Sequence, residues 1–137
     1  LSTSLIESFR DEELEWVIMH EIGHIKYKHP KKLIFNSMWN LLFGFVLISF
    51  MPSLTIVVSI ILGVFHLRVE NSLELEANRF ALESIENGVN AQISATKNFQ
   101  NFNDRSEIHE FLYDLFTGQV PYSKRIKQAN DFARDSF

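Results

Sequence analysis

Residues 33–67 read LIFNSMWNLLFGFVLISFMPSLTIVVSIILGVFHL, 35 consecutive positions without Asp, Glu, Lys or Arg. The 13 Lys and Arg and the 17 Asp and Glu all fall outside this block, so charge is excluded from one interval rather than scarce throughout. About 18 or more apolar residues in a row make a membrane-span candidate. The block begins far from the N-terminus and has no small-residue cleavage site, which excludes a signal peptide. A single straight helix over it would measure about 52 Å, too long for a hydrocarbon core of about 30 Å. Met51-Pro52-Ser53 divides it into two arms, Leu33–Phe50 and Leu54–Leu67, of about 27 and 21 Å as helices. Asn36, Asn40 and Gly44 stripe one arm, and Thr55, Ser59, Gly63 and His66 stripe the other. Such small and polar residues let two helices pack closely in lipid. A helical hairpin inside a soluble core would carry the same stripes.

At 137 residues the chain is read as one domain, 1–137, with the 33–67 hairpin inserted into it. It opens at Leu1 rather than Met, the start expected of a fragment. Hydrophobic residues at 46% and charged residues at 22% exclude a disordered tail. A net charge of −4 lacks the basic surplus of a nucleic-acid binder, so no nucleic-acid partner is expected. The absence of cysteine excludes a disulfide framework, a Cys-ligated zinc and a thiol nucleophile. The pattern is almost entirely helical, with at most a short strand or turn over Leu1–Phe9, where an edge strand for a peptide would lie at or before Leu1–Ile6. A first helix, capped by Ser8 or Asp11, runs to about Lys28, where Pro30 ends it. Further helices are expected over Leu73–Glu86, closed by a left-handed Gly88; from Asn90 to about Phe102; from a capping box at Asp104–Glu107 to Gly118; and from Ser123 to about Arg134.

The first helix contains His20-Glu21-Ile22-Gly23-His24. Two histidines four apart share a helix face, so both imidazoles reach one tetrahedral ion. Glu21 projects near the open coordination position, where it can take a proton from a water whose pKa zinc lowers to about 7. H-E-x-x-H also occurs by chance in unrelated helices. A catalytic zinc needs a third protein ligand, here His, Asp or Glu for want of cysteine. Glu74-Leu75-Glu76-Ala77-Asn78-Arg79-Phe80-Ala81 offers one: Glu74, Ala77, Asn78 and Ala81 share a face, and the alanines permit close approach. Asn78 is placed to accept a hydrogen bond from a ligand imidazole. Taken singly, Glu74 and Glu76 are ordinary solvated carboxylates; beside H-E-x-x-H, Glu74 is the better third ligand.

This order of segments resembles the HtpX and CAAX-prenyl-protease family of membrane gluzincins. The resemblance rests on Glu13-Leu14, Val17, His20 through Lys26 and His29-Pro30, then the apolar block, then Glu74 through Leu82. Pro121-Tyr122-Ser123-Lys124-Arg125-Ile126 is similar to that family's closing motif. The resemblance implies a mainly α, zincin-like core, one Zn2+ held by His20, His24 and Glu74, Glu21 as general base, and a polypeptide substrate. Two departures stand out: Asn78 replaces the usual Asp, and Gln119-Val120 replace a His before the closing proline. The group that stabilises the oxyanion is therefore open among His109, Tyr113, Tyr122 and Arg125. The E-x-E-A-N-x-F-A wording is also similar to soluble ImmA/IrrE-type regulatory metallopeptidases, which lack the long apolar insertion.

Three functions compete on these residues: a zinc endopeptidase, a metal-binding regulator without turnover, and a helical membrane protein with a fortuitous motif. If Glu74 shares an ion with His20 and His24, the block crosses a membrane an even number of times. Lys26, Lys28, Lys31 and Lys32 before it and Arg68 after it then put both flanks in the cytoplasm, and lipid is a partner through 33–67. His29 is read as a helix-end residue off the ligand face, His66 as a polar packing residue, and the C-terminal phenylalanines as core.

Overall fold

The computed structural model describes residues 9–50, 52–103 and 120–135. Expectations at Leu1–Ile6, Ser8, Asp104–Gly118, His109, Tyr113 and Gln119 lie outside them. The described residues form a mainly α fold with no strand: α1 (Asp11–Lys26), α2 (His29–Phe50), a 3-10 turn (Pro52–Leu54), α3 (Thr55–Ser84), α4 (Gly88–Asn103) and α5 (Tyr122–Asp135).

Arg10, rather than the expected Asp11, caps α1. The side chain of Glu13 reaches back to accept the Arg10 backbone N–H at 3.0 Å, while Asp11, Glu12 and Glu13 set negative charge against the positive helix end. Glu13 is fully buried and also accepts from Arg10 Nε at 3.1 Å, Arg10 Nη2 at 2.9 Å, Asn98 Nδ2 at 2.8 Å and Ser94 Oγ. Burial pushes its carboxyl up, but the hydrogen bonds from Ser94 and Arg10 outweigh that and hold it below the ordinary carboxylate range. Because Ser94 and Asn98 belong to α4, this carboxylate ties α1 to α4. Beside it Phe9, Trp16, Val17, Ala81, Ala91 and Ala95 form the core shared by α1, α3 and α4, with the Phe9 and Phe99 rings 4.9 Å apart.

α1 stops two residues short of the expected Lys28. Lys28 adopts a left-handed φ of 56°, and Tyr27 N–H closes the helix on Gly23 O at 3.0 Å. α2 then begins at His29, with Pro30 in its first turn, where a missing N–H costs nothing because it has no intrahelical partner. The proline therefore opens the second helix as well as following the first.

The separate helix expected over Leu73–Glu86 is instead the second half of α3, which runs unbroken for 30 residues. Nothing between Leu67 and Leu73 breaks a helix, so the second apolar arm and the glutamate segment share one axis. Gly88 also differs from expectation. It takes no left-handed φ, and α3 ends at Ile85 in an extended conformation. Glycine is required there because a Cβ would lie 2.7 Å from Leu82 O and 3.0 Å from Leu82 Cα. Ser123, expected as a cap, falls inside α5.

α2 and the first half of α3 form the hairpin. Asn36 Nδ2 and His66 Nδ1 meet across it at 2.9 Å, and Gly44 lies against Leu62, so the first stripe faces the partner arm, whereas Ser59 and Gly63 of the second are exposed and Gly63 has nothing within 4 Å. The outward side chains are apolar and exposed, among them Phe35, Trp39, Leu41, Phe45, Ile56 and Ile60. Both helices are long and apolar enough to cross a membrane, and only 6% of the apolar window of α2 and none of that of α3 is buried. The described residues of this chain therefore do not bury the hairpin in their own core.

Candidate metal centre

α1 and α3 cross where Gly23 meets Ala77. A Cβ built on Gly23 would sit 3.2 Å from Ala77 Cα and 3.3 Å from Ala77 O, backbone atoms that cannot swing aside. Ala77 and Ala81 are fully buried, as their small size allows. The crossing places Glu74, one turn before Ala77, beside the two histidines that flank Gly23. Their donor atoms lie within 4.8 Å of one another. His20 Nε2 and His24 Nε2 are 3.0 Å apart, His24 Nε2 is 3.3 Å from Glu74 Oε1, and His20 Nε2 is 3.5 Å from Glu74 Oε2.

These separations can be tested against a tetrahedral ion. Bonds of about 2.0–2.1 Å at tetrahedral angles place donors about 3.3–3.4 Å apart. The two histidines approach different Glu74 oxygens, and with one donor atom taken from each residue the set lies within 4.8 Å, a cluster that small side-chain rotations would bring to that edge length around one ion, with a fourth position left open. Two imidazoles and a carboxylate are also a donor set that zinc accepts.

Electrostatics agree with this role. Burial pushes the His24 imidazole down, against the upward pull of Glu74, which favours the neutral form that binds metal. Glu74 lies beyond the charge-free part of α3. Burial pushes its carboxyl up, but His20 and the Arg125 guanidinium outweigh that and keep it below the ordinary range.

The other candidates divide. Glu21 is exposed beside His20 on α1. Arg125 on α5 comes to the centre, with Nη2 3.3 Å from Glu74 Oε2 and Nε donating to Val120 O at 3.3 Å. Its own carbonyl accepts from Gln92 Nε2 at 2.7 Å, which anchors α5 to α4. Tyr122 stands half-buried at the start of α5, and His109 and Tyr113 lie outside the described residues. Asn78 is fully buried, but its amide has no hydrogen-bond partner among the described residues, and His20 Nδ1 also lacks one. The expected Asn78–imidazole contact is therefore not made.

The imidazole that does receive support is His24, from a residue whose role the sequence did not disclose. His29 is fully buried, with Nδ1 2.9 Å from His24 Nδ1 and Nε2 3.0 Å from Glu76 Oε2. The expectation that His29 points off the ligand face assumed one continuous helix. The left-handed Lys28 breaks that helix and turns the imidazole inward.

An H-E-x-x-H helix crossed by a glutamate helix defines a metallopeptidase-like centre. The chain belongs to Peptidase family M48, whose description it matches over residues 1–132. No curated protein and no solved structure matches the chain.

The Gly23–Ala77 contact generates a direct test. Gly23→Val should weaken zinc binding by about tenfold or more, because it forces the ligand-bearing helices apart. Gly63→Val, at a position with nothing within 4 Å, should leave it unchanged. Zinc competition titrations of the two variants against wild type measure the difference.

Proposed function

We propose that the protein is a zinc-dependent endopeptidase, a single catalytic domain over 1–137 with the 33–67 hairpin inserted between its two metal-binding helices. The observation that carries this reading is the convergence of His20, His24 and Glu74 from two helices, with one donor atom of each within 4.8 Å of the others, a donor set that zinc accepts. When bound, zinc supplies Lewis acidity toward a scissile carbonyl and lowers the pKa of water. Glu21 takes the proton from the attacking water and delivers it to the leaving amine as the peptide bond breaks. Its exposure leaves it open to a polypeptide substrate arriving from solvent. Arg125 holds Glu74 by an ion pair and adds positive charge beside the metal centre. It is therefore our choice of electrophile over His109, Tyr113 and Tyr122.

Glu21→Gln should leave zinc stoichiometry unchanged and lower peptide hydrolysis by about 10²–10⁴-fold. A quenched-peptide assay with parallel metal analysis reads both, and full activity in the variant would remove Glu21 from the mechanism. The alternative reading, a metal-binding regulator without turnover, is favoured by the unpartnered amide of Asn78. Zinc-loaded wild type that cleaves nothing would decide for it.

We further propose that the hairpin inserts in a bilayer with the metal centre on the cytoplasmic side. Both ends of the hairpin return to the same site, so the number of crossings is even. As helices, α2 with 22 residues reaches about 33 Å, and Thr55–Ser72 of α3 about 27 Å, against a core of about 30 Å. Lys28, Lys31 and Lys32 at one end, with Arg68 at the other, favour the cytoplasmic side. These 137 residues contain no cysteine, so each introduced thiol is the single label site among them. A membrane-impermeant thiol reagent should label Ser53→Cys from outside intact cells and Lys31→Cys only from the cytoplasmic face of inverted vesicles. Labelling of both from one side would contradict the crossing.

A further inference from the structure

Beyond the metal ligands themselves, a second polar chain leaves the centre and ends at the surface. His24 Nδ1 meets His29 Nδ1 at 2.9 Å, His29 Nε2 meets Glu76 Oε2 at 3.0 Å, and Lys32 Nζ donates to the same oxygen at 3.0 Å. His29 is buried completely and its ring stacks on Tyr27, with centroids 5.9 Å apart and an interplanar angle of 19°.

We propose that His29 and Glu76 form a relay that fixes His24 as an Nε2 metal ligand. This rests on the metallopeptidase reading above. The assignment follows from which groups can donate. An ionised carboxylate only accepts, so His29 Nε2 carries the proton it gives to Glu76. In neutral imidazole the other nitrogen is then an acceptor, so His29 Nδ1 receives a proton and His24 Nδ1–H supplies it. His24 Nε2 is left with a bare lone pair, aimed at Glu74 Oε1 3.3 Å away and at His20 Nε2 3.0 Å away. His20 Nε2, within hydrogen-bond distance, can fill that lone pair with a proton, and a bound cation would take the proton's place. The relay thus sets both the tautomer and the ring orientation that a metal requires, and makes the ligand more basic, as a carboxylate–histidine contact does elsewhere.

His29 and Glu76 are positioning residues, because neither touches a reacting atom. Glu76 is half-exposed on α3 and pairs with Lys32 from α2, so the relay also spans the base of the hairpin and joins α1, α2 and α3. His20 has no equivalent support, since its Nδ1 lacks a partner among the described residues. The two histidine ligands are therefore held unequally, with the carboxylate charge delivered to His24.

The test is a zinc competition titration of the full chain in detergent, for wild type, His29→Phe, Glu76→Gln, the double variant and Glu83→Gln as a control on the same helix. His29→Phe should weaken zinc by about 10–100-fold and Glu76→Gln by about tenfold, while Glu83→Gln stays at the wild-type value. The double variant should be no weaker than His29→Phe, because the two residues act in series. Cobalt-loaded Glu76→Gln should also shift its visible absorption from that of wild type, a signature that a purely structural loss would not move. If His29→Phe fails to fold, Glu76→Gln decides alone. Wild type that takes up no zinc overturns the endopeptidase reading. Wild type that binds one zinc, with Glu76→Gln within about twofold of it, overturns the relay only.

Discussion

Gly23 and Ala77 let two helix backbones touch, and the arrangement of the centre follows from that contact. His20 and His24 flank the glycine on α1, and Glu74 precedes the alanine on α3 by one turn. With larger residues at either position the carboxylate would stand off from the imidazoles, and the separations of 3.0, 3.3 and 3.5 Å would open. The crossing is defended from the far side by Glu13, whose buried carboxylate binds α1 to α4. α5 defends it from the near side, where Arg125 reaches Glu74 and Gln128 Nε2 donates to Leu75 O at 2.8 Å.

A second constraint follows from the continuity of α3. One helix of 30 residues carries both the outgoing arm of the apolar hairpin and Glu74, the proposed third ligand. The hairpin arm and Glu74 are therefore joined by uninterrupted helix, with no loop between them. The Glu76–His29 contact adds a bridge from the same helix to α2. In the proposed membrane topology, these two links connect the embedded hairpin to the metal centre.

Much of this was legible in the residues because local signals and tertiary demands agreed. The i, i+4 histidines, the charge-free block and its division at Pro52 each obey a single periodicity or breaker rule, and the alanines at 77 and 81 announce a close helix contact. The features that escaped depend on geometry far apart in sequence. A left-handed Lys28 is not written in its identity, since lysine has no preference for positive φ. Without that turn, His29 cannot be placed against His24. The separate helix expected from Leu73 follows the end of the charge-free block, although nothing between Leu67 and Leu73 breaks the backbone. Gly88 was legible as a special position, but for the wrong reason: contact with Leu82 rather than backbone handedness. Asn78 shows the converse case, in which a face assignment is right and the hydrogen bond expected from it is not formed.

The central claim is that one cation joins side chains from the two ends of the hairpin. Anomalous diffraction at the zinc edge, on crystals of the zinc-loaded protein, addresses it without reference to activity. The account predicts one strong peak about 2.0–2.2 Å from His20 Nε2, His24 Nε2 and a Glu74 carboxylate oxygen, with a fourth position held by solvent. A peak that excludes Glu74, or no peak between these three side chains, would contradict it.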